Sequence, residues 1–142
     1  MKYVTKRLAI AALLLCATGA LFTSSAYAQS DDGPVFELRT YKATPGNMDK
    51  LLERFRQHTM RLFEKHGMTN IGYWVPTDPE LAEDTLVYIL RHDSQAAADA
   101  SWRAFGTDPE WQQVNEESNR DGNILGGVVR QYLSATDFSQ IQ

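Results

Sequence analysis

Phe36-Glu37-Leu38-Arg39-Thr40-Tyr41, continued by Lys42-Ala43-Thr44-Pro45-Gly46, is the stretch from which the fold can be read. In an extended chain successive side chains point to opposite faces, so Phe36, Leu38 and Thr40 share one face and Glu37, Arg39 and Tyr41 share the other. The stretch reads as a first strand over about Val35 to Tyr41 that turns directly into a helix. Thr44 is suited to cap that helix and Pro45 to occupy its first turn. Apolar residues then recur at Met48, Leu51, Leu52, Phe55, Leu62 and Phe63, the spacing of one helical face. Lys65 and His66 suit the negative end of the helix dipole, and Gly67 suits a left-handed cap.

Working outward, Asn70 to Val75 reads as a second strand and Thr85 to His92 as a third, with Pro76-Thr77-Asp78-Pro79-Glu80 as the turn between them. Thr85 to Leu90 is apolar almost without interruption, the pattern of a strand covered on both faces. Asp93-Ser94 caps a second helix that runs to about Phe105, with Ala97, Ala100, Ala104 and Phe105 assigned to its inner side and Gly106 ending it. Thr107-Asp108-Pro109-Glu110 opens a shorter helix carrying Trp111 and Val114 inward. Val128 to Leu133 is the fourth strand.

The order strand, helix, strand, strand, helix, strand is that of an α+β, ferredoxin-like βαββαβ fold with a four-stranded antiparallel sheet. Two helices cover only one face of such a sheet. The other face would be too apolar to leave in water, which predicts a homodimer whose sheets pack face to face around a shared cavity. In that arrangement Glu37 and Arg39 point into the cavity.

Upstream, Lys2, Lys6 and Arg7 precede an apolar run from Leu8 to Phe22, and Ala26-Tyr27-Ala28 supplies small residues where a signal peptidase cuts. Residues 1–28 are expected to be an export signal cleaved after Ala28, which places the protein in the periplasm or outside the cell without a stable membrane anchor. The run is shorter than the about 20 residues of a membrane-spanning helix. Residues 29–34 are expected to be a disordered leader and 35–142 the folded domain. The full chain holds 14 Lys+Arg against 18 Asp+Glu; losing the three bases of the signal leaves 11 against 18, a net charge of −7. That balance disfavours nucleic acid and anionic lipid surfaces. Cys16 is the one cysteine and lies in the signal, so no disulfide, redox thiol or thiolate metal site is expected afterwards.

Phe36 to Tyr41 with Pro45-Gly46, then Glu64-Lys65-His66-Gly67, Gly72-Tyr73-Trp74 and Asp108-Pro109-Glu110-Trp111, occur in an order that resembles the NIPSNAP family over about Val35 to Leu133. The resemblance implies the dimeric α/β-barrel fold. Its superfamily includes cofactor-independent monooxygenases, lactone isomerases and stress-response proteins, whereas NIPSNAP proteins have no settled activity, so the resemblance assigns no catalytic residue.

Two readings fit Glu37 and Arg39. In a partly closed cavity the guanidinium would hold an anionic or carbonyl group while the carboxylate accepts a proton; at an interface the two would form a structural ion pair. Tyr41 shares their face, Tyr88 and Arg130 lie on neighbouring strands, and Trp74 is the tryptophan assigned to a cavity wall. Trp102 and Trp111 read as core aromatics. His58 and His66 lie about 12 Å apart along one helix, too far to share a metal ion. Of Arg91 and His92, at the end of the third strand, only one can face the cavity. No serine-nucleophile, phosphate-loop, dinucleotide, calcium-loop or zinc spacing is present, so neither cofactor nor metal is expected. The ligand-site set is therefore Glu37, Arg39, Tyr41, Trp74, Tyr88 and Arg130. The leading expectation is a binding protein for a small, partly apolar molecule. The alternatives are a cofactor-independent monooxygenase or isomerase of a phenolic or carbonyl substrate, and a structural dimer with a filled barrel.

Overall fold

The computed structural model describes residues 33–142. The expected signal 1–28 and most of the leader lie outside the described residues. Strand β1 spans Val35–Ala43 and is followed by one helical rod in three parts: α1 (Met48–Arg54), a π-helical segment (Phe55–Thr59) and α2 (Met60–Lys65). Strand β2 (Thr69–Trp74), the short α3 (Pro79–Ala82) and β3 (Thr85–His92) come next, then α4 (Gln95–Thr107), α5 (Pro109–Ser118) and β4 (Leu125–Leu133). The sheet is antiparallel in the order β2-β3-β1-β4. This is the ferredoxin-like arrangement expected from the element order, with β1 and β3 central.

Local chemistry explains most of the boundaries. Gly67 takes φ +77°, a conformation that only glycine adopts freely, and its N–H bonds the Glu64 carbonyl to end the first rod. Ser94 and Asp108 cap α4 and α5 through side-chain oxygens. The first helix begins three residues later than the sequence suggests. Thr44 is drawn away from capping because its hydroxyl donates to the Asn123 carbonyl at 2.7 Å, tying β1 to the turn before β4. In α4 the inner side is Ala98 and Phe105, while Ala100 and Ala104 are exposed.

The helices lie on one face of the sheet and enclose the core. Leu51, Phe55, Leu62 and Phe63 of the rod meet Tyr41, Leu86, Tyr88 and Leu90 of the strands, with Phe105 and Ile124 closing the ends. The core is rich in aromatic contacts: Tyr88 lies 5.2 Å edge-on from both Tyr41 and Phe55, and Phe105 lies 4.4 Å from Trp111 with the rings tilted. On the other side of the sheet no helix among the described residues covers Leu38, Val87 or Ile89.

Candidate functional site

The alternation of β1 places Val35, Glu37, Arg39, Tyr41 and Ala43 beneath the helices. Glu37 is fully buried, and three side chains bond its two oxygens. One oxygen accepts from Arg39 Nη1 at 2.6 Å; the other accepts from Trp102 Nε1 at 2.6 Å and lies 2.9 Å from His92 Nε2. Burial alone would raise the carboxyl's pKa. The hydrogen bonds from His92 and Trp102 and the charge of Arg39 outweigh burial and hold it below its ordinary value. An ionised carboxylate only accepts, so His92 donates through Nε2, and its buried Nδ1 has no partner among the described residues. The Arg39 guanidinium carbon sits 4.1 Å over the Trp102 ring, and its Nη2 donates to the Tyr41 hydroxyl at 3.3 Å.

Beyond Tyr41 the layer between helices and sheet opens into a cavity of ≈ 150 Å³. Tyr41, Phe55, Phe63, Phe105, Trp111 and Leu125 form its apolar walls; Thr59, Asn115, Asn123 and Arg54 add polar atoms. Asn115 and Asn123 are exposed and mark its mouth. Arg54 also lines a shallower groove of ≈ 330 Å³ between α1 and α5, with Lys50, Glu53, His58, Glu117 and Asp121. The π-helical segment follows Arg54 directly, and Thr59 donates its hydroxyl to the Arg54 carbonyl at 3.2 Å. Segments of this kind are frequent at functional sites.

The NIPSNAP family model matches residues 36–140, close to three quarters of the chain. This protein belongs to the NIPSNAP family. A NIPSNAP family protein of unknown function from Agrobacterium tumefaciens has a similar structure, with a TM-score of 0.66 at 17% identity over 80% of this chain and 97% of that one. A NIPSNAP-like domain protein from Burkholderia xenovorans gives 0.65 at 16% over 76% and 90%. SnoaB, a cofactor-independent oxygenase from Streptomyces nogalater, gives 0.50 at 11% over 78% and 99%. At such identities the likeness speaks for the fold alone. No curated protein matches the chain.

In this NIPSNAP domain four of the six expected site residues gather in one buried layer: Glu37, Arg39, Tyr41 and Tyr88. Their surroundings differ from the expectation. Glu37 and Arg39 point beneath the chain's own helices, away from the uncovered face of the sheet where the expected shared cavity would lie. Their mutual neutralisation, together with the Trp102 N–H, makes that burial tolerable. Trp74 stands on the opposite face, 51% exposed, with its ring across Gly72; a Cβ there would come within 2.5 Å of it. Arg130 pairs in register with Arg39 on the edge strand, but it is exposed and forms no ion pair among the described residues. Two participants were not among the expected site residues. His92 was left open against Arg91, and Trp102 read as a core aromatic from its place in a helix, a reading that gave no sign of the partner for its N–H. Arg54 was missed because its charge concealed its place on the buried stripe of Leu51, Phe55 and Leu62. Lys65 at 2.7 Å and His66 at 2.6 Å bind Asp108, holding that carboxyl well below its usual range and joining the first rod to α5.

Chemically, the two regions differ. Around Glu37 three hydrogen bonds and the Arg39 charge stabilise the ionised carboxylate, so it fixes Arg39, Trp102 and His92 in place and is a poor base. The aromatic cavity has open volume and unspent donors.

Proposed function

We propose that this NIPSNAP protein is exported, pairs as a homodimer, and binds a small, partly apolar molecule in the cavity between its helices and its sheet. The observation that carries the reading is the ≈ 150 Å³ void with aromatic walls in an otherwise close-packed layer. Protein interiors rarely leave more than water-sized gaps, and pockets that bind small molecules are mostly apolar with a few placed polar groups. The Glu37 cluster is the rigid floor beside it, joined to it through Tyr41.

The dimer accounts for the uncovered face of the sheet. Trp74 is 51%, Val129 63% and Leu133 41% exposed there, beside the half-buried Leu38, Val87 and Ile89. The C-terminal segment covers only the end near Phe36, Ile71 and Leu133, where Ala135 and Ile141 line a second apolar groove. A second copy packed sheet to sheet would bury the remainder.

Native mass spectrometry of the mature protein from the periplasm of its own host tests the reading. The expected result is a dimer carrying a reproducible extra mass, lost in a Leu125→Phe variant that fills the cavity. An unliganded wild type whose melting temperature no small aromatic compound raises would refute it.

One observation favours cofactor-independent oxygenation or isomerisation instead. Glu37 binds His92 through Nε2 and leaves Nδ1, buried, without a partner among the described residues, the tautomer a histidine base would use if a substrate reached it. Oxygen uptake with an electron-rich phenol that disappears in His92→Phe would support this second reading; no uptake leaves binding without turnover.

A further inference from the structure

We propose that the occupant of the aromatic cavity is a monoanion, a small cyclic or aromatic carboxylate, and that Arg54 is the residue that holds it. The proposal rests on the reading of that cavity as a ligand site and specifies its chemistry.

Arg54 is the last residue of α1 and is 6% exposed. A buried guanidinium normally faces a carboxylate, as Arg39 does in the same layer. Arg54 has none within ion-pair distance among the described residues. Its Nη1 makes two long bonds to neutral oxygens, Asn115 Oδ1 at 3.4 Å and Ser118 Oγ at 3.2 Å, and its Nε is buried without a partner. The acids of the adjoining groove are engaged elsewhere. Glu53 bonds Arg56 and Gln57, Asp121 lies 3.7 Å from Lys50, and Glu117 accepts from Gln113 at 2.9 Å. Burial lowers the pKa of Arg54, but a guanidinium ionises so far above neutrality that it keeps its charge in a protein. A permanent buried cation with unspent donors, facing open volume, is an incomplete site.

The rest of the cavity says what completes it. Arg54 is the single charged residue in the lining, which suits one negative charge and not a phosphate dianion. The Trp111 ring lies 5.3 Å from the guanidinium carbon, so a planar group bound there would be flanked by aromatic rings. A void of ≈ 150 Å³ is the size at which an apolar cavity in another protein takes up one benzene ring. A carboxylate on the Arg54 fork with its ring among Phe55, Phe105 and Trp111 uses each of these features. The π-helical segment adjoins the cation. It begins immediately after Arg54, and Arg54 and Phe55 are both buried at the junction.

The test uses benzoate and its neutral analogue benzyl alcohol, titrated at pH 7 into the mature protein and followed by calorimetry and by NMR of residues around the cavity. Expected is benzoate binding at least tenfold tighter than benzyl alcohol, with Tyr41, Phe55 and Trp111 shifted. Arg54→Met should erase the preference and still admit benzyl alcohol. Asn115→Asp, which supplies a carboxylate where the Asn115 oxygen now stands, should expel benzoate and raise the melting temperature; it keeps the proposal testable if Arg54→Met does not fold. Equal binding of the two probes, or benzoate affinity unchanged in Asn115→Asp, overturns the anion assignment while leaving the cavity a ligand site. If neither probe shifts residues around the cavity, the ligand-site reading and this proposal fall together.

Discussion

Glu37→Gln is the substitution that most directly probes what holds the helix layer on the sheet. In the wild type the carboxylate neutralises Arg39 at 2.6 Å and accepts from Trp102 at 2.6 Å and from His92 at 2.9 Å. The amide keeps the shape but strands the Arg39 charge, and whichever way it turns its NH₂ meets another donor. Removing one partner of a buried ion pair costs about 3–5 kcal/mol. That is a large part of the roughly 5–15 kcal/mol by which a domain is stable, and it corresponds to a fall in melting temperature of roughly 10–25 °C. Urea unfolding at pH 7 should show the midpoint shifted with an unchanged slope. Glu37→Gln with Arg39→Met removes the stranded cation and should recover about 2–3 kcal/mol, a coupling typical of residues in contact. The pH dependence has a definite sign. Burial is outweighed by the hydrogen bonds and by Arg39, so the folded carboxyl lies below its ordinary value of 4.5. Its contribution is complete above that value and is lost as pH falls through the depressed folded one. The gap between wild type and Glu37→Gln should be constant from about pH 5 to 8 and narrow below about pH 4. A loss under about 1 kcal/mol, or no recovery in the double variant, would refute the account of a buried pair at the centre of the layer.

Three further outcomes follow from other surfaces. Val129→Lys, at a position 63% exposed on the uncovered sheet face, should convert a dimer into a folded monomer in sedimentation experiments; a wild-type monomer would contradict the proposed pairing. Burial pushes the Tyr73 phenol well above its ordinary value of 10.0, so stability should be full below about pH 10 and decline above it as the unfolded phenol ionises first. Tyr73→Phe should make that alkaline decline shallower, at a cost near 1 kcal/mol for the lost bond to Asn70. Amino-terminal sequencing of protein recovered from the periplasm should read from Gln29; an intact Met1 there would refute cleavage.

Local signals were enough to order the elements. The alternation in β1, the helical spacing from Met48 to Phe63, the left-handed Gly67 and the caps at Ser94 and Asp108 depend on neighbours within a few residues, so one chain displays them. The start of the first helix was misplaced for a non-local reason: the bond from Thr44 to Asn123 spans 79 residues. The candidate site was legible only as a set of residues sharing a face. Alternation separates Glu37, Arg39 and Tyr41 from Phe36, Leu38 and Thr40, but it is symmetric and does not say which set the helices cover. Sequence alone determined the element order, the ferredoxin-like class and the grouping of Glu37 with Arg39 and Tyr41, because these follow from backbone periodicity and capping. Tertiary structure alone decided that this group lies beneath the helices, that Trp102 and His92 complete the Glu37 cluster from 65 and 55 residues away, and that Arg54 is buried without a carboxylate. Those outcomes depend on which distant side chains meet, and burial and charge compensation are properties of that meeting.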